Sequence, residues 1–215
     1  MRIDCKKCID KLLPIIQKKG FNALKIDDVA KYMDISKATL YKYFSSKDEI
    51  VEKVVDVYVD CIKNIDQLIV NEEAPFSIRF QRLFEQSMLI AVYISDIFLE
   101  DLKTSYPQLL DRITQAQLER SWHLDQFYAS GVSQGVFNPI HFKLFMFQDE
   151  IMLRKIIQPN FLIPNDLTIK QAIYEYYTLK KLQLFKPEYL EQMDDSLIKG
   201  AIHTIVQKLT YPYTT

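Results

Sequence analysis

Only four glycines and eight prolines interrupt 215 residues. Those two residue types supply most of the tight turns that a many-stranded sheet needs, so a chain this poor in glycine has few ways to build hairpins. Apolar residues recur instead at i, i+3, i+4 and i+7, the period of a helix with one buried face. The expected fold class is therefore all-α, with long helices joined by few loops. The hydrophobic share is 48% and the charged share 26%, which fits a folded, well-packed chain rather than a disordered one.

The spacing predicts helices over about residues 4–19, 26–33, 37–44, 47–70, 76–93, 96–105, 107–134, 141–157, 167–185 and 187–209. Gly20 is placed to stop the first, and Lys18 and Lys19 suit the negative end of its dipole. Pro14 should kink that helix or delay its start, because it removes a hydrogen bond one turn back. Ser36 is a candidate N-cap, and Ser46 with Glu49 has the spacing of a capping box. The helix from Lys47 is expected to run unbroken to Val70.

Net charge is −1, but the charges are unevenly placed. Residues 1–53 hold twelve basic and eight acidic side chains, and the remainder holds fifteen and twenty. A basic head on a mildly acidic body suggests that only the head meets a polyanion. The longest apolar run, about Met88–Ile94, is far short of a membrane span, and the N-terminus carries charges where a signal peptide needs apolar residues. A cytoplasmic chain without membrane contact is expected. Cys5, Cys8 and Cys61 make no disulfide framework, and one CxxC pair is too few ligands for structural zinc, so neither metal nor cofactor is expected. His123, His141 and His203 lack metal-ligand spacing, and no phosphate loop or nucleophile elbow occurs. Enzyme activity has no positive support.

Three short helices with a tight turn between the second and third match the helix-turn-helix plan, in which the third lies in the major groove. Residue types in the third helix then acquire reasons. Leu40 and Phe44, four apart, face inward and lock the helix onto the first two. Ala38 is small enough for close approach to a base, and Thr39 can donate or accept near a base or phosphate. Tyr41, Lys42 and Tyr43 project outward, while Lys37 and Lys47 stand at the helix ends, where they can neutralise phosphates. Each lysine alone would read as a solvated face; the ordered set reads as a groove-facing one.

The stretch GFNALKIDDVAKYMDISKATLYKYFSSKDEI, Gly20 to Ile50, resembles the DNA-binding domain of the TetR family of bacterial transcriptional regulators. The matching positions are Gly20-Phe21, Val29-Ala30, Ser36, Thr39-Leu40-Tyr41, Tyr43-Phe44 and Lys47 to Ile50. The resemblance implies that Lys37, Ala38, Thr39 and Lys42 face bases, and that Tyr41, Tyr43 and Lys47 hold the backbone. It departs from the family pattern at Lys25-Ile26, where a hydroxyl is usual and Lys25 would serve a phosphate electrostatically. It departs again at Met33-Asp34, where Ala-Gly is usual and an aspartate must fit the turn.

The resemblance further implies two parts: a helix-turn-helix domain over 1–46, and a helical ligand-binding and dimerisation domain over 47–215. The second would pair its two C-terminal helices with a second copy. The stripe Leu197/Ile198, Ala201/Ile202, Ile205/Val206, Leu209 suits such packing. A homodimer would place two recognition helices on half-sites of a near-palindromic operator. The helix over 107–134 carries apolar residues on more than one side and is expected to sit centrally. A pocket beside it, lined by Phe84, Met88, Tyr93, Trp122, His123 and Phe127, would take an apolar or aromatic effector. The expected function is a ligand-responsive repressor; the alternative is a helix-turn-helix-fold protein acting through a protein partner.

Overall fold

The computed structural model describes residues 5–64 and 67–210. Its helices are α1 (Cys5–Lys19), α2 (Ile26–Tyr32), α3 (Lys37–Tyr43), α4 (Lys47–Lys63), α5 (Gln67–Val70), α6 (Phe76–Tyr93) and α7 (Asp96–Ser105). They continue with α8 (Pro107–Ser133), α9 (Phe142–Ile156), α10 (Pro159–Leu162), α11 (Ile169–Leu184), α12 (Pro187–Leu190) and α13 (Ser196–Thr210). Among the described residues, extended pairing is confined to one isolated antiparallel bridge between Phe137 and Phe185, so the fold is all-α as expected. No described helix is long and apolar enough to cross a membrane.

The chain divides into two compact units. One comprises Met1–Lys63 with Val92–Gln117, the other Asn64–Ala91 with Leu118–Thr215. In the first, Ile9, Leu12, Leu13 and Ile16 of α1 are buried, as their spacing required, together with Phe21, Val29, Met33, Leu40 and Phe44. α1 is continuous through Pro14 rather than starting after it. Asp10, whose carbonyl Pro14 leaves without its helical donor, lies on the exposed side. Cys8 is buried and Cys61 half-buried, while the side chain of Cys5 lies outside the described residues.

In the second unit the core is aromatic. Phe80 stacks on Tyr177 at 5.6 Å between ring centroids, and Phe84 and Phe185 meet the same pair edge-on. Phe137 packs so closely on α8 that a Cβ on Gly131 would fall 2.0 Å from its ring. Polar groups are buried alongside. The Lys180 ammonium reaches Asp149 at 3.1 Å and the Phe145 carbonyl, and the Tyr176 hydroxyl donates to Asp149 at 2.9 Å. Burial pushes the Asp149 carboxyl up and the Lys180 ammonium down, and the attraction between them opposes both shifts. These contacts pair α9 and α11 antiparallel, with residue 145 beside 180 and residue 149 between 176 and 180.

Two expectations need correction. The helix from Lys47 ends at Lys63 and a separate α5 follows; residues 65 and 66 of the expected helix lie outside the described residues. Here the Asn64 carbonyl accepts from the Gln86 side chain, a partner that an unbroken helix would not need. The expected helix over 187–209 is likewise two. Asp194 caps Ser196 at 2.8 Å, Tyr177 and Lys181 hold Asp195, and the Gln81 amide bridges the Asp194 carbonyl to the Ile198 N–H. Of the C-terminal stripe, Ile198, Ile202 and Ile205 are buried in their own unit, while Leu197, Ala201, Val206 and Leu209 are half-buried.

Removing one member of the buried pair exposes its importance. Lys180→Met should lower unfolding free energy by about 3–5 kcal/mol in urea denaturation, because Asp149 is left charged and uncompensated. Adding Asp149→Leu should restore most of that loss. A single variant within about 1 kcal/mol of wild type would contradict the assignment.

Candidate nucleic-acid interface

The first unit's surface is organised around α3. Ser36 caps it: its Oγ accepts from the Thr39 N–H at 3.1 Å and pairs with the Thr39 hydroxyl at 2.8 Å. Leu40 is fully buried and Phe44 nearly so, which leaves Lys37, Ala38, Tyr41 and Lys42 exposed on the opposite side. Thr39 and Tyr43 flank that face, half-buried. Ser36 and Lys25 are exposed at the starts of α3 and α2. One helix therefore presents a small residue, one tyrosine and two lysines outward, with a second tyrosine at the edge, while its apolar side is held, a composition that suits reading a groove.

The turn into α3 is unusual in its chemistry. Asp34 adopts φ 59°, the left-handed conformation that glycine takes most easily. Asp34 donates its N–H to the Lys31 carbonyl at 3.1 Å, and Ile35 donates to Ala30 at 3.0 Å, so the last carbonyls of α2 are satisfied. The Asp34 carboxylate also meets Lys11 of α1 at 3.2 Å. Aspartate thus fills the glycine position without losing the turn.

The lysines differ in their freedom. Lys42 is exposed on the outer face. Lys37 is 2.8 Å from Asp27 of α2, and that hydrogen bond, with the Asp27 charge, raises its pKa. An exposed pair of this kind contributes little, so a phosphate can displace Asp27. Lys47 is half-buried with its ammonium 4.8 Å above the Phe21 ring; burial lowers its pKa against the pull of Asp101 and Asp48. Lys25 donates its backbone N–H to Asp28 at 3.0 Å and leaves its ammonium in solvent. At the start of α4, Ser46 accepts from the Glu49 N–H at 3.2 Å, but Glu49 reaches back to Ser45 at 2.7 Å rather than to Ser46. Sequence pattern places Asp27 in the first turn of its helix but does not pair it with Lys37, and it gives no sign of Asp101, whose partners Phe21 and Asn22 lie 80 and 79 positions away.

The residues expected to line an effector pocket are not gathered together. Phe84, Met88 and Phe127 are buried in the second unit; Phe84 packs on Tyr176 and Tyr177, and Phe127 on Phe76, Tyr128 and Phe137. Trp122 is 69% exposed and stacks edge-on with the exposed His123. Leu118 is exposed beside it in sequence, so the second apolar side of α8 faces outward and α8 is not enclosed all round. Tyr93 belongs to the first unit, close to Cys61.

The family model for bacterial regulatory proteins of the tetR family matches residues 9–54, the span that contains the Asp34 turn and α3. Residues 9–54 are therefore a domain of the tetR-family type. The chain is also similar to IcaR of Staphylococcus aureus, the HTH-type negative transcriptional regulator of the biofilm operon icaADBC. Identity is 31% over 94 residues, 41% of this chain and 50% of IcaR. The chain thus spans about half the length of that curated relative. Over most of its length it has the fold of KstR2, a ketosteroid transcriptional regulator of Mycobacterium tuberculosis (TM-score 0.62, 18% identity, 86% of this chain and 97% of KstR2). A comparable match is AibR in complex with isovaleryl coenzyme A and operator DNA (TM-score 0.60, 15% identity, 81% and 96%).

The left-handed turn gives a direct test. Asp34→Val should cost roughly 1–2 kcal/mol of stability, since a β-branched residue is strained at positive φ. Asp34→Gly should stay within about 0.5 kcal/mol of wild type, its relaxed turn offset by a looser unfolded chain. Urea denaturation of the two variants measures both.

Proposed function

We propose that the chain is a transcriptional regulator, a repressor that binds a near-palindromic operator as a homodimer and responds to an apolar or aromatic small molecule. DNA reading is assigned to residues 1–46, and effector binding and dimerisation to 47–215. The observation that carries the reading is the outer face of α3, with Lys37, Ala38, Tyr41 and Lys42 exposed over a buried Leu40 and Phe44. Ser36, Thr39, Tyr43, Lys25 and Lys47 border it. A negative regulator among the relatives supports repression, and a neighbour of the same fold bound to an acyl-coenzyme A and operator DNA suits the two-partner reading.

The dimer is assigned to α9 and α11. Their antiparallel seam is closed inward by Lys180 and Asp149, while Leu144, Phe147, Ile151, Leu179 and Leu182 stand exposed on the outer side. Phe147 at 54% and Leu179 at 57% exposure are expensive to leave in water, and a second copy would cover them. Two copies also meet the requirement of half-sites about 34 Å apart. For the effector, Phe84, Met88 and Phe127 remain the candidates within one core. A molecule reaching them must part packed aromatic rings, so its binding would favour a different packing of α6 against α11.

Lys42→Ala should weaken binding to the gene's own upstream duplex and relax its preference over random DNA, as loss of a base contact does. An equal loss on both duplexes, with the slope of log K against log salt reduced by about one, would move Lys42 to the phosphate backbone. A wild-type chain with no preference for that duplex over random DNA would favour the protein-partner alternative. Phe147→Glu combined with Leu179→Glu should convert the dimer to monomer in sedimentation velocity, with loss of high-affinity operator binding. A double variant that stays dimeric would place the interface elsewhere.

A further inference from the structure

Gly20 ends α1 by donating its N–H to the Ile16 carbonyl at 2.8 Å and turning to φ +72°. That turn directs the next two backbone N–H groups toward one acceptor. Phe21 and Asn22 both donate to Asp101 Oδ2 of α7, at 2.5 and 2.9 Å. Four residues along α7, Ser105 Oγ accepts from the Asn22 side-chain amide at 3.0 Å. A Cβ on Gly20 would lie 2.4 Å from Asp101 Oδ2 and 2.8 Å from Ile97 Cγ2. Glycine is therefore required both for the backbone angle and for the approach of the carboxylate.

Successive backbone N–H groups converging on a carboxylate form an anion-binding concavity, and bonds to an ionised acceptor are about twice as strong as neutral ones. Here the anion is supplied by the chain itself. Phe21 is fully buried below the Lys47 ammonium, so the corner, α7 and the first turn of α4 meet at one place. Beside it, the Tyr106 hydroxyl donates to Asp48 at 2.7 Å, and Arg112 pairs with Asp56 at 2.5 Å. The α7–α8 segment thus grips the chain on both sides of α3: at the corner ahead of α2, and along the first half of α4. The Tyr106 and Arg112 contacts are exposed and individually weak. Asp101 differs because it satisfies backbone donors, which cannot rotate away to another partner.

We propose that Asp101 is a positioning residue for DNA recognition: its carboxylate, seated on the Phe21 and Asn22 amides, fixes the orientation in which α3 is presented. This rests on the regulator reading above. Specific docking needs one orientation of α3, so a head released from Asp101 binds its operator in proportion to the fraction of time it is correctly placed. Attraction to phosphates tolerates many orientations and is little affected. Charge alone predicts the opposite, since removing a carboxylate near Lys47 would strengthen binding to any duplex.

The experiment compares full-length wild type, Asp101→Ala and Asp101→Asn. Each is titrated with a labelled duplex of the gene's own upstream sequence and with a random duplex of equal length, and amide exchange is followed in parallel. Asp101→Ala should lower the ratio of specific to random affinity about tenfold, with random affinity unchanged or higher. Asp101→Asn, which keeps a neutral acceptor, should lower it about threefold. Exchange should accelerate at Phe21 and Asn22 while the Leu40 amide, bonded to Ser36, stays protected. A ratio within twofold of wild type, or equal tightening on both duplexes, overturns the proposal. If Asp101→Ala does not fold, the Asp101→Asn ratio decides. Should wild type itself show no preference, the regulator reading fails, and unchanged exchange at Phe21 and Asn22 would separately refute the latch.

Discussion

Burial of Leu40 and Phe44 is the constraint on which the first unit depends. α3 is only seven residues long, too short to hold its shape in water without tertiary support. Two apolar side chains four apart fix both its existence and its rotation about its own axis. Once that rotation is set, no freedom remains over which residues point outward. Lys37, Ala38, Tyr41 and Lys42 face solvent because Leu40 and Phe44 do not. The Ser36 cap and the left-handed Asp34 then set where the helix begins, so three local features act on one surface.

The second unit solves a different problem with buried charge. Lys180 and Tyr176 meet on Asp149, and these contacts tie α9 to α11 at one register. A purely apolar seam of similar volume could be as stable, but it would slide more readily. Fixing the register also fixes the outer side of the same two helices, where Leu144, Phe147, Leu179 and Leu182 are exposed.

Much of this was legible from periodicity. The helices before Lys47, the inward pair on α3, the Ser36 cap and the tolerance of Asp34 at a glycine position are all short-range properties, and the structure shows each of them. What escaped was long-range. The breaks at Asn64 and at 191–195 go with Gln86 and Gln81, side chains that take up backbone groups far away in sequence. The C-terminal stripe is buried in part by its own unit, and an apolar face states that something covers it and not what. Trp122 and His123 mislead in the same way: aromatic residues on a helix suggest a lining, and only the packing shows that they point outward. No local pattern could have linked Asp101 to the turn after Gly20.

The ion pair between Lys37 and Asp27 has a consequence for how such a head would search a genome. A lysine already neutralised by its neighbour adds little to the attraction for arbitrary duplex, so residence on wrong sequences is shortened. Because the pair is exposed and weak, the lysine passes to a phosphate at little cost beyond releasing Asp27. One carboxylate on α2 would in this way trade a little affinity for any duplex against faster departure from it.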